Sequence, residues 1–310
     1  MKWYSPFNPL AYWRKGKEIF FRMRGDALQR LDAHLRKLQK LHDRIIAVAP
    51  SQRGLLGEKL QSLQWGQVGD VRSPAGDTLL FYCTNWVTSW RVDTFFEKEP
   101  ETIAWLDSIP EGSCVWDIGA NVGLYSIYAA KVRKCRVYAF EPSVFNLEIL
   151  ARNVALNDLS HAVTIVPVAL SDSPKEGAFA LGTIVQGGAC STFAEGYDHH
   201  GNPLKKTFEY KTLSLSGDAL LALYALPGPD YIKLDVDGIE HLILSGMTGI
   251  LLHENLCGIL VETNFDFKEQ AGKIELLLSS SGFVLKEKSH AEMFNDTEFK
   301  NIYNCIWERK

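Results

Sequence analysis

Cys114-Val115-Trp116-Asp117-Ile118-Gly119-Ala120-Asn121-Val122-Gly123, followed by Glu141-Pro142, is the stretch that decides the fold. Its first five residues, apolar but for Asp117, have the length of a buried strand. Gly119 then permits a sharp turn and lets backbone approach a ligand. Asn121 stands where glycine is usual, and asparagine tolerates left-handed dihedrals better than most residues. Gly123 lets the following helix pack close. Glu141 lies 22 positions beyond Gly119, at the tip of the next strand. A strand, a Gly-bearing turn, a helix and an acidic strand tip together build a nucleoside pocket.

Two carboxylates narrow the choice of nucleoside. At the end of the second strand, Glu141 is placed to accept both ribose hydroxyls. Asp117 sits at the tip of the first strand, beside the turn. A carboxylate there is awkward for a pyrophosphate, which prefers a bare helix N-terminus. It suits a cationic ligand, and S-adenosylmethionine carries a sulfonium and an ammonium but no phosphate. The methyl donor therefore fits better than a nicotinamide dinucleotide. Farther on, Val166-Pro167-Val168-Ala169-Leu170-Ser171-Asp172 ends the third strand. Ala169 and Leu170 there are expected to wall an adenine ring. Asp172 is either a partner for the exocyclic amine or an Asx turn.

Outward from this centre, strands and helices alternate, the mark of a parallel sheet with crossover helices. Strands are expected at 114–118, 136–141, 163–169, 231–236 and 257–263, and helices at 122–132, 143–156, 238–246 and 267–281. Segments 283–288 and 301–309 read as an antiparallel pair closing the sheet. Residues 174–215 interrupt the alternation with glycines and β-formers and read as a β-rich insertion beside the pocket. Upstream, residues 51–76 read as a linker leading into strands, and 78–84 as a strand. Trp86–Phe96 is an aromatic, β-branched segment containing Arg91, and a short helix opens at Lys98-Glu99-Pro100-Glu101-Thr102. Three parts follow: a helical extension over 1–50, a lead-in on the substrate side over 51–110, and the catalytic domain over 111–310.

The fourth strand, Tyr231-Ile232-Lys233-Leu234-Asp235-Val236, continues into Asp237-Gly238-Ile239-Glu240. By alternation Lys233, Asp235 and Asp237 share one face. Three charges buried there would be costly, whereas at the strand's C-terminal tip they line the ligand crevice. Asp237-x-x-Glu240 has the form of a capping box with Asp237 as N-cap, and His241 is expected on the outside of that helix. Glu262, Thr263 and Asn264 end the next strand on the crevice side.

The net charge of -4 gives no reason to expect a nucleic-acid partner. That figure hides an asymmetry: residues 1–50 carry +7 and residues 51–310 carry -11. Asp26 can cap a helix reaching about Val48, with Leu28, Leu31, Leu35, Leu38 and Ile45 following 3–4 spacing and His42 filling the one missing seam position. That seam leaves three readings open: packing on its own domain, a short coiled coil making a homodimer through 26–48, or contact with a membrane surface through 1–48. Six cysteines, at 83, 114, 135, 190, 257 and 305, include no CxxC pair and no cluster with zinc spacing. They read as buried reduced thiols, Cys114 and Cys257 at apolar strand starts. No apolar run approaches membrane-span length and no signal peptide is visible, so the chain is expected in the cytosol, with the basic arm a candidate contact at the inner membrane face.

Taken together, Trp116–Ser126, Ala139-Phe-Glu-Pro-Ser143, Pro167–Asp172, Lys233–Glu240 and Leu260-Val-Glu262 resemble the FkbM family of S-adenosylmethionine-dependent methyltransferases. The likeness spans about residues 90–310. It departs from the family at Asp237, where glutamate is usual. The resemblance implies a Rossmann-like class I fold with a seven-stranded, mostly parallel sheet and an antiparallel C-terminal strand. It implies S-adenosylmethionine as cofactor, bound by Asp117, Gly119, Ala120, Asn121, Gly123, Glu141, Pro142, Ser143, Ala169 and Leu170. It also implies O-methylation of a hydroxyl on a sugar, glycan or secondary metabolite. An in-line transfer needs alignment and a base, for which Asp235 is the first candidate and Glu240 the second, with Lys233 orienting the acceptor or a carboxylate. Asp235 with Asp237 would offer oxygen ligands if a metal were used, but no metal site is assigned. The alternatives are an N-methyltransferase, against which the absence of an Asn-Pro-Pro-Tyr-like motif counts, and a non-catalytic scaffold docking through its N-terminal helix.

Overall fold

The structure is a computed structural model that describes residues 67–310 together with Arg36 and Lys40, both helical. The helix expected over 26–48, and with it the dimer and membrane-surface readings, otherwise lies outside the described residues. Among the described residues, no helix is long and apolar enough to cross a membrane.

Two short strands, β1 (Gln67–Arg72) and β2 (Thr78–Cys83), pair as a small sheet, so the expected linker already holds a strand. Trp86–Asp93 is a helix, α1, despite its β-formers. A reciprocal cap overrides their propensity: Asn85 accepts from the Thr88 N–H and Thr88 Oγ1 accepts from the Asn85 N–H. Helix α2 (Pro100–Ser108) begins with proline in its first turn.

The central region alternates β3 (Cys114–Ile118), α3 (Leu124–Lys131), β4 (Arg136–Phe140), α4 (Val144–Leu156) and β5 (Val163–Val166). An excursion follows through β6 (Ala169–Leu170), β7 (Lys175–Leu181), β8 (Ser191–Phe193) and β9 (Phe208–Leu215). After α5 (Gly217–Tyr224) the alternation resumes with β10 (Tyr231–Leu234), α6 (Glu240–Ser245), α7 (Thr248–Leu252), β11 (Gly258–Asn264), α8 (Lys268–Ser280), β12 (Phe283–Ser289) and β13 (Ile302–Arg309). Seven strands form one sheet in the order β12–β13–β11–β10–β3–β4–β5, in which β13 alone runs against its two neighbours. Strands β6–β9–β7–β8 make a second sheet.

Alternation along the central strands separates two cores. Val115, Val137, Ala139 and Leu260 face α3, α4 and the lead-in, whereas Trp116, Phe140, Ile232, Leu234 and Val261 face the opposite layer. Asp117 and Lys233 lie on the Val115 side of their strands. On that side β2 is bound to α4 by amide ladders: the Leu80 and Tyr82 N–H groups donate to Asn157 Oδ1 (3.0 Å) and Asn153 Oδ1 (2.8 Å). Two asparagines thus satisfy a strand edge that would otherwise be open.

Four expectations need correction. The third strand does not run to 169. It ends at Val166, and Ala169 and Leu170 turn away to pair with Ser214 and Leu215. The fourth strand ends at Leu234, and Asp237 has φ 63°, so alternation cannot carry Asp237 onto the Lys233 face. His241 is buried, because α6 is covered by α8. Cys257 is exposed, in the turn before β11.

Candidate active site

The candidate site lies where the tips of β3 and β10 meet. Gly119 has φ 88°, and a Cβ there would lie 1.8 Å from the Asp235 carbonyl oxygen. Only a glycine allows the two strand tips to approach so closely. Gly119 and Ala120 donate their N–H groups to the Phe140 carbonyl (3.0 and 2.9 Å), which ties the turn to β4. Asn121 does adopt the left-handed conformation, with φ 52°. Gly123, at φ 86°, precedes α3, and a Cβ there would meet Leu150 of α4 at 2.5 Å.

Asp117 is buried at the end of β3. Its Oδ2 accepts from Ser126 Oγ (2.5 Å), whereas its Oδ1 is buried and has no partner. Burial pushes its pKa up, against the pull of Lys233 and Ser126. Glu141 is buried too. Its Oε2 accepts from the Asn121 N–H (2.8 Å) and its Oε1 from the Ser143 N–H (2.7 Å), so one carboxylate holds the two turns together. Each of its oxygens keeps a second lone pair for a ligand hydroxyl. Desolvation raises its pKa to about 8. Pro142 contributes a carbonyl that accepts from Tyr210 Oη (2.7 Å), and Ser143 precedes α4 without a side-chain cap. Ala169 and Leu170 are buried and pack in the second core.

Lys233 is almost fully buried and is the charge centre of the crevice. Its Nζ bonds Asp235 Oδ2 (2.9 Å) and lies 5.0 Å from the Tyr125 ring centroid. Burial alone would lower its pKa, but Asp235, Asp117 and Glu99 together raise it. Glu99 arrives from the start of α2, where it contacts Lys98 and accepts from Thr102 Oγ1 (3.2 Å). Burial opposes its ionisation, yet Lys98 and Lys233 hold its pKa well below the usual range. Asp235 keeps its side chain about a quarter exposed, at 23%. Glu262, from β11, has its pKa driven far up by burial and by repulsion from Asp235 and Asp237.

The structure therefore gathers Asp117, Gly119, Asn121, Glu141, Lys233 and Asp235 around one crevice. Glu240 is not presented to it. Its Oε1 accepts from the Val236 and Gly238 N–H groups (3.1 and 3.2 Å) and its Oε2 from Gln270, so its carboxylate braces the loop after β10. The Asp237–Glu240 capping box does not form. Asp237 Oδ2 instead accepts from the Cys190 and Ser191 N–H groups (2.8 and 3.3 Å), tying the insertion to β10. Glu99, Tyr125 and Ser126 were missed. Ser126 and Tyr125 lie in the first turn of the helix after the Gly turn, a position that any strand–turn–helix reading could have flagged.

The insertion also bonds to the elements around the Gly turn. Gly187 O accepts from Arg91 Nε (2.7 Å), Gly187 N donates to Asn146 Oδ1 (2.9 Å), and Gly188 O accepts from Asn121 Nδ2 (2.8 Å). Asn85 Nδ2 adds a bond to Gln186 O (3.0 Å). The loop before β8 is thus anchored to α1, the Gly turn and α4 at once.

The Methyltransferase FkbM domain matches residues 117–285. The hexuronic acid methyltransferase AglP of Haloferax volcanii is 26% identical over 66% of this chain and 80% of its own length. The methyltransferase sdnD of Sordaria araneosa is 28% identical over 57% of this chain and 75% of its own. The solved methyltransferase FkbM of Methylobacillus flagellatus aligns with a TM-score of 0.45 at 13% identity, over 72% of this chain and 52% of that one. With the domain match covering more than half of its length, the chain belongs to the FkbM methyltransferase family.

Proposed function

We infer that this methyltransferase uses S-adenosylmethionine and delivers the methyl group to a hydroxyl oxygen of a sugar or related metabolite. One observation carries the cofactor assignment: Asp117 Oδ1 is buried beside the Gly turn without a partner, while Oδ2 is held by Ser126. An unsatisfied buried carboxylate oxygen is costly, and a ligand ammonium would satisfy it. The residues present fit the donor. Asp117 would take its ammonium, the backbone at Gly119 and Ala120 would lie against it, and Glu141 would accept from its ribose hydroxyls. When bound, the donor supplies an electrophilic methyl group on sulfonium.

The chain's own task is to orient the acceptor and take its proton. Asp235 suits that role because its carboxylate is partly exposed at the crevice and is held in place by Lys233. Lys233, enclosed by carboxylates, acts as a positioning residue. Glu240 is left out of the proton path because its oxygens serve backbone N–H groups and Gln270. The sugar class of acceptor is supported by the name of the Haloferax relative, which specifies a hexuronic acid.

The test is calorimetric titration of the full chain with S-adenosylmethionine, followed by transfer of labelled methyl to a panel of monosaccharides, glycans and hydroxylated metabolites. Binding of the donor, its loss in Asp117→Ala, and label recovered in a methyl ether support the reading. Binding of NAD without binding of the methyl donor, or label recovered on nitrogen, overturns it.

A further inference from the structure

The insertion and the loop after β10 bring together a thiol, an imidazole and a carboxylate that the methyl-transfer site does not use. Ligand atoms of Cys190, His199 and Asp237 all lie within 4.8 Å of one another. Zinc-type bonds of about 2.0–2.3 Å set tetrahedral ligand atoms roughly 3.3–3.8 Å apart. The three groups therefore need a contraction of about 1 Å or so to share one cation.

Three further features mark the cluster. Both ring nitrogens of His199 are buried and have no hydrogen-bond partner, an arrangement a neutral imidazole does not favour. That ring is fixed by stacking on Phe299 (5.4 Å between centroids), and its backbone carbonyl accepts from Asn264 Nδ2 (2.7 Å). Cys190 and Asp237 both hold left-handed conformations at φ 63°, strained for residues with a Cβ. Finally, Asp237 Oδ2 is oriented by the N–H groups of Cys190 and Ser191, the kind of outer hydrogen bonding that ligating carboxylates have.

We propose that Cys190, His199 and Asp237 form a three-ligand site for a zinc-class divalent cation, which clamps the insertion onto the tip of β10. Thiolate and imidazole ligands select zinc or cobalt over magnesium or calcium. Sequence spacing could not reveal the site, because its ligands come from three separate loops.

Cobalt titration of chelator-treated full-length protein tests this directly. One equivalent should produce a near-ultraviolet sulfur-to-cobalt charge-transfer band that zinc displaces. Cys190→Ser should abolish the band and His199→Ala should weaken cobalt binding about tenfold or more, with far-ultraviolet circular dichroism unchanged. Cys257→Ser, which alters an exposed thiol elsewhere, should keep the band. In the parent protein, zinc should slow amide exchange over residues 186–203, a readout that does not depend on any variant folding. A band that survives Cys190→Ser, or zinc protection absent from 186–203, overturns the proposal. Neither result touches donor binding at Asp117, so this site and the methyl-transfer reading fail separately.

Discussion

Lys233 and Asp117 are register partners on adjacent parallel strands, and both side chains are buried. The pairing sets a cation beside the carboxylate proposed to receive the donor, and within reach of Glu99 and Asp235. Removing it would leave several buried carboxylates facing one another. Lys233→Met is therefore expected to cost about 3–5 kcal/mol of stability, as for other broken buried ion pairs. Urea unfolding at neutral pH measures this, and a loss below about 1 kcal/mol would show that the carboxylates do not depend on Lys233.

Gly119 and Gly123 both have positive φ but differ in what surrounds them. A Cβ at Gly119 strikes a backbone oxygen at 1.8 Å, which cannot yield without separating β3 from β10. A Cβ at Gly123 meets the tip of Leu150, which can rotate away. Gly119→Ala is expected to abolish folding or donor binding, whereas Gly123→Ala should cost about 1–3 kcal/mol from its dihedral alone. Thermal melting of the two variants compares them, and equal losses would contradict the close approach at Gly119.

Much of this was legible in the chain because it rests on local pattern. Trp116–Gly123 and Lys233–Asp235 declare strand tips through apolar runs ending in charge and glycine. What stayed hidden depends on non-local pairing. Glu99 read as a first-turn helix acid, yet packing of the lead-in carries it to Lys233. Asp237 read as a helix cap, but its left-handed backbone sends the carboxylate to Cys190 instead. Ala169 and Leu170 read as the end of the third strand, but pairing with β9 places them in the second sheet. The helix at Trp86–Asp93 had a readable sign, the Asn85-x-x-Thr88 box, that its aromatic composition masked.

Asn153 is fully buried and serves two elements: its Oδ1 accepts from the Tyr82 N–H and its Nδ2 donates to the Val122 carbonyl (2.9 Å). Asn153→Ala leaves both backbone groups without a protein partner. At about 1–3 kcal/mol for each buried group left unsatisfied, a combined loss of about 2–6 kcal/mol is expected. Amide exchange at Tyr82 should accelerate in the variant. An unchanged rate there would mean that β2 does not rely on the asparagine.

Glu141 sets a pH dependence with a definite sign. Its folded pKa, about 8, stands above its ordinary value of 4.5 because burial disfavours the carboxylate. The folded state therefore holds more protons than the unfolded state between those values. Its contribution to stability is fully present below the ordinary pKa and is lost as pH rises toward about 8. Glu240, raised to about 7 by the same desolvation, adds to that slope. Donor binding should run the other way, because ribose hydroxyls donate best to the ionised carboxylate. Affinity for S-adenosylmethionine is expected to rise between about pH 5 and 7.5, by up to about tenfold per pH unit, below the range of about 7.7–8 where the donor's own α-amino group loses the proton that Asp117 would hold, while the melting temperature of the ligand-free protein falls. Glu141→Gln should flatten the binding profile and reduce the melting slope, leaving the part due to Glu240. Calorimetric titration across this range decides the matter: affinity that stays flat in the parent protein, or a slope that survives the glutamine, would mean that another group carries the titration.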